Sequence, residues 1–281
     1  MPKIPPKKIN QQQTPLGVAI PKGKYDTLES RIICGDSLEV MPTLPMMDLV
    51  FCDPPFNVGV KYKVYDDNRP EEEYRQWMYQ WLDIAWSRTA GVLALHAPDK
   101  LADIYILWAN SRDLLKHRIT WVNWWYHFGQ NTKYNFVDAR CHCMIFARKP
   151  KGYVWNYEDI LIESFRSSAY GDHRIQDSSL GGKRVPGTVW GGEADGKYWG
   201  RIQGNNAERV DGQPNQLPEV YLKRLILAYT HKGDNVLDPF GGGGTTITVA
   251  NALGRKGYTI EVDEEAVDRI KDRCRRGAIR V

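Results

Sequence analysis

Short apolar runs alternate with longer segments whose apolar residues recur every three or four positions. Arg31 to Cys34 predicts a strand, followed by a Gly-Asp turn and a helix starting near Ser37. "MDLVFC", Met47 to Cys52, is apolar apart from Asp48 and predicts a strand covered on both faces. The stretch "PEEEYRQWMYQWLDIAWSRT" opens on Pro with three acids in its first turn. It repeats apolar residues at Tyr74, Trp77, Met78, Trp81, Ile84 and Ala85, which is helical spacing with charges suited to the dipole. "GVLALHA" predicts a strand, "PDKLADIYILWANSRDLL" a helix, and "ITWVNWWYHFG" with "DARCHCMIFARK" an antiparallel pair.

Regularity stops at Lys151. From there to about Gln213 the chain is rich in Gly, Ser, Asp and Arg, with neither period sustained. An irregular stretch of this length inside a compact domain carries function more often than filler. The pattern then resumes with a helix in "LPEVYLKRLILAYTH", a strand in "DNVLD" and a glycine turn. A helix from about Thr245, a strand in "GYTIEV" and a last helix from Glu264 complete it. Strands alternating with helices imply crossover units around a mostly parallel sheet, an α/β fold.

Composition changes this picture little. Apolar residues make up 42% and charged residues 26% of 281 positions, as in a soluble globular domain. No apolar run is long enough to span a bilayer, and the N-terminal "MPKIPPKKINQQQTP" reads as a flexible arm without a secretory h-region, so no membrane role is expected. Five scattered cysteines, an odd count, argue for a reducing compartment. Cys141 and Cys143 flank His142, but no second pair at zinc spacing follows. They read as core thiols, and no metal is expected. A net charge of +4 permits a polyanionic partner without requiring one.

Two places carry candidate chemistry. The strand ending at Cys52 runs straight into Asp53, Pro54, Pro55 and Phe56: a carboxylate, two residues that cannot continue a central strand, and a ring. "NVLDPFGGGGTTITVANALGRKGYTIEVDEE" ends a strand at Asp238, turns through four glycines and starts a helix with Thr245 and Thr246. Such glycines let a ligand approach the backbone and the helix N-terminus. A P-loop needs Lys where Thr245 stands, and a dinucleotide fingerprint needs Gly where Thr246 stands. A nucleoside cofactor ending in a carboxylate fits better, with Glu261 at the end of the next strand for the ribose hydroxyls; the spacing suits S-adenosylmethionine.

Together these stretches resemble the S-adenosylmethionine-dependent amino-methyltransferases of DNA, the N6-adenine and N4-cytosine family. "DPPF" is similar to their catalytic tetrapeptide, and "LDPFGGGGTT" with "GYTIEVD" to their cofactor motif. The tetrapeptide precedes the glycines, which is the family's β-class circular permutation. "GQPNQLPEVYLKRLI" is similar to the element before the cofactor strand, with Gln213 in place of its His and Leu217 in place of its Lys.

The resemblance implies a Rossmann-like methyltransferase fold with a mostly parallel sheet, a C-terminal antiparallel hairpin strand and an irregular target-recognition insertion. The implied layout is an arm over 1–28, a catalytic half over 29–150, the insertion over 151–212 and a cofactor-binding half over 213–281. Asp53 and the Pro54 carbonyl would accept the two N–H bonds of a flipped base's amine, Pro55 would help fix that carbonyl, and Phe56 would stack on the base. Asp238, Phe240, Gly241 and Gly243 would surround the methionine part of the cofactor, with Thr245 and Thr246 at the helix start. Glu261 would hold the ribose, Asp36 would receive the adenine amine or merely cap a helix, and Asn215 and Gln216 would close over the cofactor. Arg166, Arg174, Lys183, Arg184, Arg201 and Arg209 are candidates for phosphate or guanine contacts. The loop "NVGVKYKVYDDNR" reads either as a clamp on cofactor or DNA or as a solvated loop.

The implied partners are double-stranded DNA, a second copy of the chain and a cognate restriction endonuclease, in the cytoplasm of a bacterium or of a virus-infected one. Asp at the first tetrapeptide position favours adenine over cytosine. An RNA substrate and an inactive, nucleic-acid-binding member of the family are the remaining readings.

Overall fold

A computed structural model describes residues 23–60, 62–126, 132–166, 171–172, 174, 179–191, 195 and 197–281. Most of the expected arm and parts of the insertion fall outside the described residues.

The strands are β1 (Ile32–Cys34), β2 (Met47–Cys52), β3 (Thr89–Ala97), β4 (Arg118–Trp125), β5 (Arg140–Ala147), β6 (Ile162–Glu163), β7 (Lys183–Arg184), β8 (Val189–Trp190), β9 (Asn235–Asp238) and β10 (Lys256–Glu261). The α-helices are α1 (Ser37–Val40), α2 (Glu71–Arg88), α3 (Asp99–Ser111), α4 (Glu219–Tyr229), α5 (Thr245–Ala252) and α6 (Glu264–Arg276). Eight strands form one sheet in the order β1-β10-β9-β2-β3-β5-β4-β8; β6 and β7 pair separately. The strands β1, β10, β9, β2 and β3 are mutually parallel, and β5 runs antiparallel to both β3 and β4. The antiparallel hairpin of β4 and β5 therefore lies in mid-chain and not at the C-terminal end of the sequence.

The apolar alternation within β2 explains how both faces are covered. Val50 and Cys52 join Leu93, Leu95, Leu237 and Ile260 in a core under α2 and α3. Leu49 and Phe51 join Val92, Ala94 and Val236 in a second core under α4 and α5. Cys141 and Cys143 pack into that second core. A smaller cluster of Ile32, Ile247, Val267 and Ile270 seats α6.

The sheet has a switch point between β9 and β2. From β2 the chain crosses through α2 to β3 on one side, and from β9 through α5 to β10 on the other. In such sheets the crevice outside the carboxyl ends of the strands at the switch point is where ligands bind. Both anchor stretches end there: Asp53 follows β2 directly, and Asp238 is the last residue of β9. The seam is also stapled across the sequence, since Asp48 accepts the Asn235 N–H at 2.8 Å, 187 residues away. Among the described residues no helix is long and apolar enough to cross a membrane.

Candidate active site

At the switch point opens a cleft of about 620 Å³ lined by both anchors, by Gly35 to Ser37, by Asp211 to Leu217 and by the loop after the tetrapeptide. Its size lies in the range of small-molecule sites. Asp53, Pro54, Pro55, Phe56, Asp36, Asn215, Gln216, Asp238, Phe240, Gly241, Gly243, Thr245, Thr246 and Glu261 all line it. The six basic residues proposed for nucleic acid do not.

The tetrapeptide is held rigidly. The Tyr74 hydroxyl donates to the Pro55 carbonyl at 2.6 Å, while the Pro54 carbonyl and the Asp53 carboxylate accept no hydrogen bond from the described residues. Beyond Phe56 the chain reverses through Asn57, whose φ of 54° is left-handed. That turn is fixed by Asp67, which is buried and accepts the backbone N–H groups of Asn57, Val58 and Val60 at 2.8, 3.0 and 3.0 Å. Asn57 in turn exchanges two bonds with the Arg69 backbone. The loop thus returns over the cleft with Tyr62, Lys63, Val64 and Tyr65 in its wall, and Lys63 pairs with Glu265 at the start of α6. Phe56 lies over His96, centroids 6.3 Å apart, and burial drives the His96 pKa down to about 3, so that ring stays neutral.

The glycine turn is shaped by its neighbours. A Cβ on Gly241 would lie 2.7 Å from Thr259 Oγ1, and one on Gly244 would lie 2.9 Å from Ile270. Gly242 and Gly244 have φ of 50° and 69°, where side chains are strained. The Gly242 N–H donates to Glu261 at 2.7 Å, and Asp238 accepts from Phe240 N–H at 3.0 Å and Thr246 Oγ1 at 2.6 Å. Phe240 is wedged edge-on against Trp81 and Trp77 of α2. Gly244→Ala should weaken cofactor binding roughly tenfold, as expected for about 1–3 kcal/mol of backbone strain. Titration calorimetry with S-adenosylmethionine checks this.

Among the carboxyl groups that line this cleft are Asp53, Asp238 and Glu261. Burial pushes Asp53 well above the usual carboxylate range, with nearby Asp238 adding to it. Burial raises Asp238 to about 7 against the hydrogen bonds from Thr246 and Phe240 that favour its charge. Burial also raises Glu261. Such a site favours a cation, and S-adenosylmethionine carries a sulfonium and an ammonium beside its carboxylate. The fit is good on chemistry, and the cleft has the volume for such a cofactor.

The remaining expected residues fall into place unevenly. Asp36 caps α1, accepting the Leu38 N–H at 2.7 Å, while still lining the cleft. The buried amide of Gln216 is spent on the chain itself, bonding Val210 N–H at 2.9 Å and the Glu208 carbonyl at 2.6 Å. Asn215 accepts from Arg201 at 3.1 Å. Arg166 and Arg174 share Asp172; Lys183 and Arg184 are exposed in β7; Arg209 donates to the Gly204 carbonyl.

Several lining residues escape a reading of the sequence. Trp77 and Arg269 line the cleft although their periodicity marks only helix. Arg273, buried on α6, donates to the Gly243 carbonyl and Thr245 Oγ1, both at 2.8 Å, and to Glu219 at 3.0 Å. Glu219, also buried, accepts the N–H groups of Ile279 and Arg280 with its other oxygen. Nothing in the spacing separates this arginine from its exposed neighbours.

Comparison with known proteins agrees with this geometry. Residues 47–272 match the profile of the DNA methylase family of N6 and N4 methyltransferases. The chain is 27% identical over 250 residues to the type II methyltransferase M.HpaI of Haemophilus parainfluenzae, spanning 88% of this chain and 74% of that one. It is 28% identical over 243 residues to the DNA adenine methyltransferase YhdJ of Escherichia coli K12, spanning 84% and 79%. The fold is similar to the PvuII cytosine-N4 DNA methyltransferase (TM-score 0.61, 16% identity, 88% and 86% covered). It is similar also to the M1.HpyAVI complex with S-adenosylmethionine (TM-score 0.58, 14% identity, 85% and 96% covered).

Proposed function

The chain belongs to the S-adenosylmethionine-dependent DNA methylases that modify exocyclic amino groups, and we propose that its acceptor is the 6-amino group of adenine in a base turned out of the duplex. The observation that carries this reading is the Asp53 carboxylate beside the Pro54 carbonyl, both without a hydrogen-bond partner among the described residues, at the end of β2 and within the cleft.

An exocyclic amine is a poor nucleophile because its lone pair is delocalised into the ring. Two fixed acceptors, Asp53 and the Pro54 carbonyl, take its two N–H bonds and favour the pyramidal amine. The Pro55–Tyr74 bond keeps that carbonyl in place. Phe56 stacks on the base and offsets part of the few kcal/mol of unstacking. Bound at the glycine turn, S-adenosylmethionine supplies an already activated methyl group, so no protein nucleophile is needed. Glu261 and Asp36 orient its nucleoside end, while Asp238, Phe240 and the turn hold the other. The protein's part is proximity, alignment and electrostatics. Once alkylated, the amine loses its proton readily, and Asp53 is placed to receive it.

Adenine is favoured over cytosine by the Asp of the tetrapeptide and by the likeness to YhdJ, a DNA adenine methyltransferase. Residues 151–212 are proposed to read the target sequence, and among their basic candidates Arg201 is bonded to Asn215 of the cleft wall. A second copy of the chain and a restriction endonuclease are proposed partners, in keeping with the type II relatives, and a bacterial cytoplasm is the proposed setting. Digesting DNA methylated by the purified protein to nucleosides should yield N6-methyladenine by mass spectrometry; N4-methylcytosine instead would replace the adenine assignment.

A further inference from the structure

Strand direction puts one more feature on the rim that carries Asp53. Because β4 runs antiparallel to β5, and β5 antiparallel to β3, the carboxyl end of β4 lies at the same edge as that of β2. The β4–β5 connection therefore projects from the cofactor side of the sheet. Its described residues, 132–139, present two large rings to solvent: Tyr134 and Phe136 are each 95% exposed. No other large apolar side chain among the described residues is nearly so bare. Lys133 stands beside them, and at the base of the hairpin Arg201 lies over the Tyr126 ring, 5.1 Å from its centroid. Asp138 is the acid of this stretch.

We propose that Tyr134 and Phe136 form an aromatic wedge that enters the DNA stack where the target base leaves it. The placement suits this task. In the order β2-β3-β5-β4, the strands that carry the hairpin stand two to three places from β2, so at about 4.8 Å per strand its base lies roughly 10–14 Å to the side of the end of β2. A base turned out of a duplex leaves its gap to the side of the pocket that receives it, and a hairpin rising from this rim is placed to reach that gap while the base sits at Asp53. Flat rings stack on any base, which lets the wedge work without reading sequence. Exposure that burial in the protein would relieve is instead relieved by the nucleic acid the enzyme already acts upon.

The inference rests on methyl transfer to a flipped base at Asp53, and label transfer is counted whichever base accepts it, so an error in the adenine assignment leaves this test legible. The full chain and its Tyr134→Ala/Phe136→Ala variant are compared on a duplex carrying the recognition site found by sequencing of methylated DNA. A second duplex has an abasic residue opposite the target, which removes most of the cost of opening the pair. The variant should lose about 10- to 100-fold in transfer to the intact duplex. On the abasic duplex it should come within about threefold of the unaltered chain, with unchanged affinity for S-adenosylmethionine. An equal loss on both duplexes would mark the rings as a general DNA or subunit contact and overturn the wedge. Undiminished transfer on the intact duplex would overturn it too.

Discussion

Asp53→Ala will lower methyl transfer by at least about 10³-fold while changing the affinity for S-adenosylmethionine by less than about threefold. Removing one preorganised partner of a reacting group costs on the order of 10²–10³ in rate. Here the same loss also leaves the acceptor amine planar and unaligned. The cofactor should notice little, since its proposed cradle is Asp238, Glu261 and the glycine turn, and these are held by Thr246, Gly242 and Arg273 rather than by Asp53. Asp53→Asn should keep the shape and lose most of the rate, because it offers one neutral acceptor and a competing donor. Single-turnover label transfer and calorimetry with the cofactor together check the pair. Parallel loss of both quantities would show that Asp53 belongs to the cofactor site instead.

The second large effect concerns protons. Asp238 has a pKa near 7 in a site where burial opposes its charge. Its raised value means that the folded chain holds more protons than the unfolded one between about pH 4 and 7. The stability Asp238 confers is therefore greatest at low pH and is lost as pH rises through that window, by a few kcal/mol at most. A cationic ligand reverses the preference. Binding should release a proton, and affinity for S-adenosylmethionine should strengthen about tenfold from pH 5.5 to 7.5. The demethylated product keeps the ammonium but has lost the sulfonium charge, so its affinity should strengthen less over the same range. Asp238→Asn should flatten both the binding profile and the fall in melting temperature with pH. Calorimetry in two buffers of different ionisation heat reads the proton directly, and equal pH profiles for the two ligands would refute the charge argument. The same linkage favours release of spent cofactor at neutral pH.

The residues legible in the sequence are those whose chemistry dictates their identity. Asp-Pro-Pro-Phe after an apolar strand and a glycine turn before a helix have few alternatives, and the structure brings both to one cleft. Helix starts at Ser37, Thr245 and Glu264 are equally legible, since caps and turns act over a few residues. Less legible is anything decided by what packs against it. Arg273 lies in "EEAVDRIKDRCRR", charged throughout, and only the approach of α4 and the glycine turn selects it for burial against Glu219. The six basic residues of the insertion look alike in composition, yet Asp172 engages two of them and backbone or amide oxygens engage Arg201 and Arg209. Asp67 reads as one acid in a polar loop, although it ties three N–H groups of the turn just after Phe56. Long-range partnership has no local signature.

The seam between β2 and β9 bears on how the enzyme comes into being. During synthesis Asp53 leaves the ribosome long before Asp238 exists, and the contacts that join them span most of the polypeptide, the kind that fold slowly. Until β9 slots in beside β2 there is no floor on which donor and acceptor can meet. A nascent chain that has made only β2 therefore carries the proposed base-binding tetrapeptide without its partner, and competence to mark DNA waits on the arrival of β9 and the glycine turn.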